Sequence, residues 1–297
     1  FKKVLNLLYN LYEFKTKKIV LNSIPSIIHI DIANMCVLHC PLCSTGKGDK
    51  SQTKAVMKFE DFKKIFDSVK DYTFFIWLYN WGEPFLCKDI FKIVDYCHKN
   101  NVGVKIDSNL NYYDEKILEN MVKYKIDYIS FSIDGLSQNV YRFYRNGGDI
   151  NKVLSGLEKI KKLKIKYHSR FPITVWQYLL NNKNISEIEE ARKKSKLLGI
   201  DIFELHPLRL FTEVDSKYSK FGYNKYLSKT GITTDQAKAK TSSDICRYLW
   251  CSLVFNPDGS YSPCPIIYKD KDEFGYIKGR EETNIKKIIN SEIFVYS

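Results

Sequence analysis

Ile27-Ile28-His29-Ile30-Asp31-Ile32 is a β-rich run, and three residues later comes Cys36-Val37-Leu38-His39-Cys40-Pro41-Leu42-Cys43. From residue 27 onward the chain alternates strand and helix signals. Strand-like runs fall at 27–32, 74–79, 102–106, 128–133, 173–180 and 202–205. Helical periodicity falls between them at 60–69, 90–99, 114–124, 151–163 and 186–198. Such alternation predicts βα units feeding a parallel sheet. Six units in roughly 180 residues are too few for a closed eight-stranded barrel. The expected fold class is therefore α/β, a partial (β/α)6 TIM-like barrel with a small C-terminal α+β extension that contains a hairpin.

The flanks set the domain plan. Residues 1–24 carry a short amphipathic helix, expected to cover one end of the barrel in preference to lying on a membrane surface. Residues 25–211 form the barrel, and 212–244 a polar connecting segment rich in Lys, Ser and Thr. Residues 245–297 form the extension, whose Asp258-Gly259 between apolar arms signals a hairpin. A helical stretch at 285–289 follows.

Composition narrows the function. Hydrophobic residues make up 44% and aromatics 14%, enough for a packed core and too many for a disordered chain. No apolar run reaches the ~18 residues of a membrane span. Net charge is +13, but only seven of the 47 basic residues are Arg and the Lys are spread along the chain. Nucleic-acid binding is accordingly an unfavoured reading. The eight cysteines are clustered, three within residues 36–43 and three within 246–264. In a large Lys-rich chain read as cytoplasmic, clustering favours metal over disulfides.

Three thiolates on one tight loop suit a cuboidal iron–sulfur cluster, leaving one iron open to a chelating cofactor. Zinc would need a fourth ligand, and His39 inside the triplet is badly placed to supply it. Cys-x3-Cys-x2-Cys after a first strand resembles the motif of the radical S-adenosylmethionine (SAM) superfamily. Further stretches resemble that family in the right order. Asn80-Trp81-Gly82-Glu83-Pro84 follows the second strand, Ser132-Ile133-Asp134-Gly135 the fourth, and Tyr144-Arg145-Asn146-Gly147-Gly148 comes later.

The resemblance implies a [4Fe-4S] cluster on Cys36, Cys40 and Cys43, with SAM chelating the open iron. It places Leu42 against the adenine, the edge at Gly82, Glu83 and Pro84 near the amino group, Ser132 at the ribose and Arg145 at the carboxylate. Reductive cleavage of SAM would then give a radical that takes hydrogen from a substrate C–H, the cofactor carrying the difficult step. Asn109, Gln177 and His206, near predicted strand ends, are candidate polar contacts. Trp77, Tyr79, Trp81 and Trp176 are candidate walls. An electron donor such as flavodoxin or ferredoxin is implied as partner.

Cys246 and Cys264 form a Cys-x12-Gly-x4-Cys pattern with Gly259 that resembles the opening of SPASM and Twitch extensions. That implies an auxiliary iron–sulfur cluster, with its remaining ligands expected beyond Ser297; a cluster that takes Cys251 as third ligand and a degenerate domain without a cluster are the alternatives. Cys251 fits neither position and reads as a buried thiol or as a hydrogen-atom donor to a substrate radical. The expected activity is that of an oxidoreductase or epimerase on a small polar molecule of the sugar or aminocyclitol type. Thirty-five residues precede Cys36, which is read as leaving no room for a leader-binding domain. Peptide maturation is the alternative, and a metal-containing nucleic-acid-binding module comes last.

Overall fold

The computed structural model describes residues 1–208, 246–277 and 283–295. The predicted connecting segment at 212–244 lies outside them, as do residues 209–211 at the end of the predicted barrel. The chain divides into two compact units. One comprises Phe1–Cys36, Asp49–Asp107 and Cys246–Ser297, the other Val37–Gly48 and Ser108–Ile245.

In the first unit, β1 (Ile27–Ile30), β2 (Phe75–Trp77) and β3 (Gly103–Ser108, whose last residue belongs to the second unit) run parallel. Helices α2 (Phe59–Val69) and α3 (Ile90–Lys99) connect them. The α2 face Phe59, Phe62, Ile65, Phe66 and Val69 is buried, a helical stripe seating the helix on the sheet. Glu60 and Asp61 in its first turn complement the positive end of the helix dipole. Three of the four residues of β1 are buried, as are all four of β7 (Ser252–Phe255), the pattern of strands covered on both faces.

The C-terminal extension joins this sheet. β7 pairs parallel with β1, Ile27 beside Ser252 and Ile30 beside Phe255. The hairpin expected at Asp258-Gly259 follows. β8 (Ser260–Ser262) returns antiparallel, and β9 (Gly275–Tyr276) pairs with it in turn. Gly259 has φ +87°, a left-handed conformation suited to glycine. Helix α1 (Lys2–Lys15) lies at the amino-terminal ends of these strands. It contacts Ile24 before β1, Tyr72 before β2 and Trp250 before β7.

In the second unit, α4 (Glu115–Lys123) leads to β4 (Tyr128–Ser132), and β4, β5 (Ile173–Leu180) and β6 (Ile202–Pro207) run parallel in that order. Helices α5 (Gln138–Tyr144) and α6 (Ile150–Lys166) join β4 to β5, and α7 (Ile188–Leu197) leads to β6. Asp114 caps α4 by accepting from the Ile117 amide at 2.7 Å, and Asp149 caps α6 by accepting from Asn151 at 2.9 Å. Three further helices complete the described residues of the first unit: α8 (Tyr248–Cys251), α9 (Ile285–Ile289) and α10 (Glu292–Val295).

Candidate functional site

The loop leaving β1 carries all three early cysteines. Cys36 is the last residue of its stretch of the first unit, and Cys40 and Cys43 belong to the second.

In the second unit the loop is tied down by its backbone. The His39 amide donates to the Asn146 carbonyl at 2.8 Å, and the Cys43 amide to Cys40 at 3.2 Å. A Cβ on Gly46 would lie 2.5 Å from both the Cys40 nitrogen and oxygen, so only glycine lets the chain fold back this closely. Leu38, Cys40 and Leu42 are buried, and Cys43 is half-buried.

Arg145 stands beside this thiol. Its Nη1 lies 3.9 Å from Cys40 Sγ, and its Nε donates to Asp134 Oδ2 at 2.6 Å. Asp134 is fully buried and held in turn: its Oδ1 accepts from the Leu179 amide at 2.7 Å, and its carbonyl accepts from Asn184 at 3.0 Å. The chain of contacts from Cys40 through Arg145 to Asp134 thus reaches β5. Burial alone would discourage charge on Arg145, but Asp134 and Cys40 outweigh it and hold the guanidinium firmly protonated. Burial pushes the Cys40 thiol up, and Arg145 opposes that shift. A cation this close to a buried thiol favours the thiolate that metal binding requires.

The register lines up Ser132, Gln177 and Glu204 across β4, β5 and β6. His206, two residues beyond Glu204, lies 3.0 Å from its carboxylate through Nε2. Asn109 accepts the Asn111 amide at 2.9 Å, which shapes the turn after β3. Trp176 is fully buried with its indole donating to the Ile133 carbonyl, so it is core and not a wall.

In the first unit, the segment after β2 packs on the segment after β1. The Glu83 amide donates to the Met35 carbonyl at 2.7 Å, one residue before Cys36. A Cβ on Gly82 would lie 1.9 Å from the Ala33 oxygen and 2.6 Å from that of Met35. Gly82 is therefore required by close approach of two backbones. Glu83 and Pro84 are buried, and the Glu83 carboxylate caps the short turn over Pro84–Leu86. Trp81 faces the extension. Its indole donates to the Ile267 carbonyl at 2.9 Å, its ring meets Tyr268 at 4.9 Å, and its amide donates to Asp31.

His29, Lys105 and Asp107, polar residues missed in the sequence reading, gather with Trp77 on one face of this sheet. His29, Trp77 and Lys105 are register neighbours on β1, β2 and β3. His29 meets Trp77 at 4.5 Å, Lys105 Nζ sits 5.0 Å over the Trp77 ring, and Asp107 lies 4.0 Å from Lys105. Burial pushes His29 down to about 4 and Asp31 up to about 7, so both favour the neutral form. Polar residues at alternate strand positions, His29 with Asp31 and Lys105 with Asp107, were the available signal.

The later cysteines are differently placed. Cys246 is exposed, and Cys264 is half-buried in the turn after β8. Cys251 is buried at the start of β7, beside the amino-terminal end of β1. Within this unit Cys36 leaves the opposite, carboxyl end of β1. Parallel pairing puts Cys251 a strand's length from the loop that carries Cys36, an observation that favours the buried-thiol reading of this residue over the hydrogen-donor one. Cys246 is close enough to Cys251 to raise its thiol further after burial, Arg247 opposing.

No disulfide joins any of the eight cysteines. Among the described residues no three His, Cys, Asp or Glu side chains converge on one point as single-ion ligands would. Ligands of a multi-iron cluster bind different irons and need no common focus. Three thiols on one loop, with a half-buried cation against the middle one, are a donor set that fits such a cluster.

An α/β parallel sheet whose first loop carries three thiols defines a class of iron–sulfur enzyme. The chain belongs to the radical SAM superfamily, whose model matches residues 30–194, more than half its length. Membership implies a [4Fe-4S] cluster and SAM. Among curated proteins it is 25% identical over 294 residues to GTP 3',8-cyclase of Clostridium botulinum, covering 90% of this chain and 89% of that one. It is 22% identical over 259 residues to the mycofactocin maturase MftC of Mycolicibacterium smegmatis, covering 80% and 63%. Among solved structures, Streptococcus suis SuiB bound to S-adenosylmethionine superposes with TM-score 0.65 at 16% identity, covering 87% of this chain and 64% of SuiB. SuiB has also been solved with its precursor peptide SuiA. The anSMEcpe enzyme with AdoMet gives 0.62 at 16% identity, covering 92% and 82%. BtrN with AdoMet and 2-DOIA gives 0.53 at 14%, covering 93% and 86%. The likeness shows the expected fold class, α/β with a parallel sheet that does not close into a full barrel and a C-terminal extension. Among the described residues no helix is long and apolar enough to cross a membrane.

Proposed function

We propose that Cys36, Cys40 and Cys43 hold the cluster and that this radical SAM enzyme modifies a peptide or protein substrate. When bound, the cluster and SAM supply reductive C–S cleavage and removal of a hydrogen atom from a substrate C–H. The protein's part is placement and charge. Arg145, fixed by Asp134, keeps a cation beside Cys40 and presents its remaining N–H groups to the SAM carboxylate. Gly82, Glu83 and Pro84 offer the edge for the amino group, Ser132 the ribose contact and Leu42 the adenine contact. Asn109, Gln177 and the Glu204–His206 pair supply further polar groups toward SAM or substrate. The electron comes from a flavodoxin or ferredoxin.

The observation that carries this reading is the Cys40–Arg145–Asp134 relay beneath a matched family motif. The peptide class is supported by likeness to SuiB, whose structure bound to the precursor peptide SuiA is known. It replaces the small-molecule preference formed on the sequence. Small polar substrates stay as a second reading, favoured by the match to GTP 3',8-cyclase along nearly the whole chain and by BtrN. An auxiliary cluster on Cys246 and Cys264 is supported by their spacing around Gly259.

The test is anaerobic reconstitution followed by iron, sulfide and SAM-cleavage assays. Four irons per chain lost with Cys36, Cys40 and Cys43 support the cluster, and zinc in their place rejects it. Mass analysis of candidate peptides encoded nearby separates the two substrate classes.

A further inference from the structure

Helix α1 is docked with the face that ordinarily points to solvent. Its buried residues are Asn6, Asn10 and Glu13, a polar stripe. Each is held by hydrogen bonds. The Asn6 amide donates to the carbonyls of Ile24 at 2.9 Å and Tyr72 at 3.2 Å and accepts from the Ile24 amide at 2.8 Å. Asn10 donates to Ser23 Oγ at 3.0 Å and to the Trp250 carbonyl at 2.9 Å. The Glu13 carboxylate accepts from the Asn22 and Ser23 amides and from the Ser23 hydroxyl. These contacts fix the rotation of the helix about its axis, so its apolar side cannot turn inward.

That apolar side faces out. Leu5, Leu8, Leu11 and Tyr12 are each between 43% and 58% exposed, and Ile19 and Val20 just beyond the helix are 66% and 60% exposed. Single exposed apolar residues are ordinary, but a continuous row marks an interaction surface. Its charge says what it meets. Lys2 and Lys15 bracket the row at helical spacing, and Lys17 and Lys18 follow, all exposed. Lys2 keeps Asp71 at 3.8 Å. The sole acid of the helix, Glu13, is buried and already bonded. A shallow groove of about 410 Å³, lined by Leu5, Tyr9 and Tyr72 together with the polar Asn6, Asn22 and Ser23, lies beside the helix. Apolar side chains flanked by lysines complement the boundary between anionic headgroups and acyl chains.

We propose that the outward face of α1 docks the protein on an anionic lipid surface. The helix sits at the amino-terminal ends of β1, β2 and β7. Docking there leaves Cys36, Gly82 and Glu83, at the opposite ends of these strands, open to cofactor and substrate. With its polar side spent on these strand ends of the first unit, the apolar side of the helix is left for a second partner.

The test is co-sedimentation of the full chain with vesicles of phosphatidylcholine alone and of phosphatidylcholine mixed equally with phosphatidylglycerol. Binding to the mixed vesicles and not to the neutral ones is expected. A Leu8→Glu/Leu11→Glu variant should lose at least about tenfold in partition, and Lys15→Gln, Lys17→Gln and Lys18→Gln about fivefold each. Unchanged melting confirms that these exposed changes leave the fold intact. Absence of binding to anionic vesicles, or binding indifferent to the glutamates, would overturn the proposal. So would a self-associated chain that the glutamates render monomeric with no lipid binding, which assigns the face to a second copy.

Discussion

The two groups of cysteines in this chain are alike in number and unlike in setting. Cys36, Cys40 and Cys43 share one loop that backbone hydrogen bonds, Gly46 and Arg145 hold in shape. Cys246, Cys251 and Cys264 sit in three environments, one exposed, one buried at the start of β7, one half-buried after β8. Spacing within a loop fixes geometry locally. Spacing across a helix, a strand and a turn does not, because the fold between the residues decides where each thiol goes. The contrast predicts that the first group is indispensable to catalysis and the second is not.

The largest effect separates the groups. Cys40→Ser should abolish cluster binding and SAM cleavage, a loss of at least about a thousandfold. Cys246→Ser or Cys264→Ser should keep SAM cleavage within about threefold while lowering iron content, because an auxiliary cluster is not the site that holds SAM. Iron analysis and product quantification read both. Equal loss in both groups would erase the distinction.

Next come the glycines that let backbones meet. Gly82→Ala must displace the Ala33 carbonyl from 1.9 Å, so loss of most SAM cleavage and a fall in stability of about 3 kcal/mol or more are expected. Gly48→Ala, with open space around it but φ +71°, should cost only about 1 kcal/mol. Thermal melting with SAM titration compares them.

A smaller change sharpens the role of Arg145. Asp134→Asn removes the charge that orients the guanidinium. It should raise the SAM KM about tenfold to a hundredfold with iron content retained. Loss of iron in step with activity would make Asp134 merely structural. Cys251→Ala, at the other end of the strand, should cost about 1 kcal/mol of stability and leave the product unchanged. A product altered in stereochemistry would restore it as a hydrogen donor.

The smallest effect is on pH dependence. Asp31, pushed up to about 7 from 3.8, contributes stability at low pH that is lost as pH rises toward 7. His29, pushed down to about 4 from 6.5, contributes stability at high pH that is lost as pH falls toward 4. The two slopes oppose between these values. Asp31→Asn should expose the histidine slope, stability falling as pH is lowered. His29→Phe should expose the aspartate slope, stability falling as pH is raised. Denaturant unfolding across this range reads both.

Much of the fold is legible because its signals are local. The strand over Ile173–Leu180 and the helix over Ile90–Lys99 carry periodicity strong enough to fix their limits. The short helix Gln138–Tyr144 escaped, since seven residues with Asn, Tyr and Arg give little period. The cysteine loop and Gly82 were readable as motifs. Asp134 as a brace for Arg145 was not, because its value depends on Leu179 and Asn184, far along the chain. Nor could sequence place β7 beside β1, a pairing across more than two hundred residues. The opening helix misled in a particular way: its apolar residues suggest the buried side, yet Asn6, Asn10 and Glu13 face inward because the loop ends they meet offer backbone donors and acceptors.

The central claim is met most directly by electron paramagnetic resonance of the anaerobically reconstituted, reduced protein with and without SAM. A four-iron signal that changes shape on adding SAM, and vanishes when Cys36, Cys40 and Cys43 are replaced together, is the expected result. A protein without such a signal, or with one indifferent to SAM and intact in that variant, would contradict it.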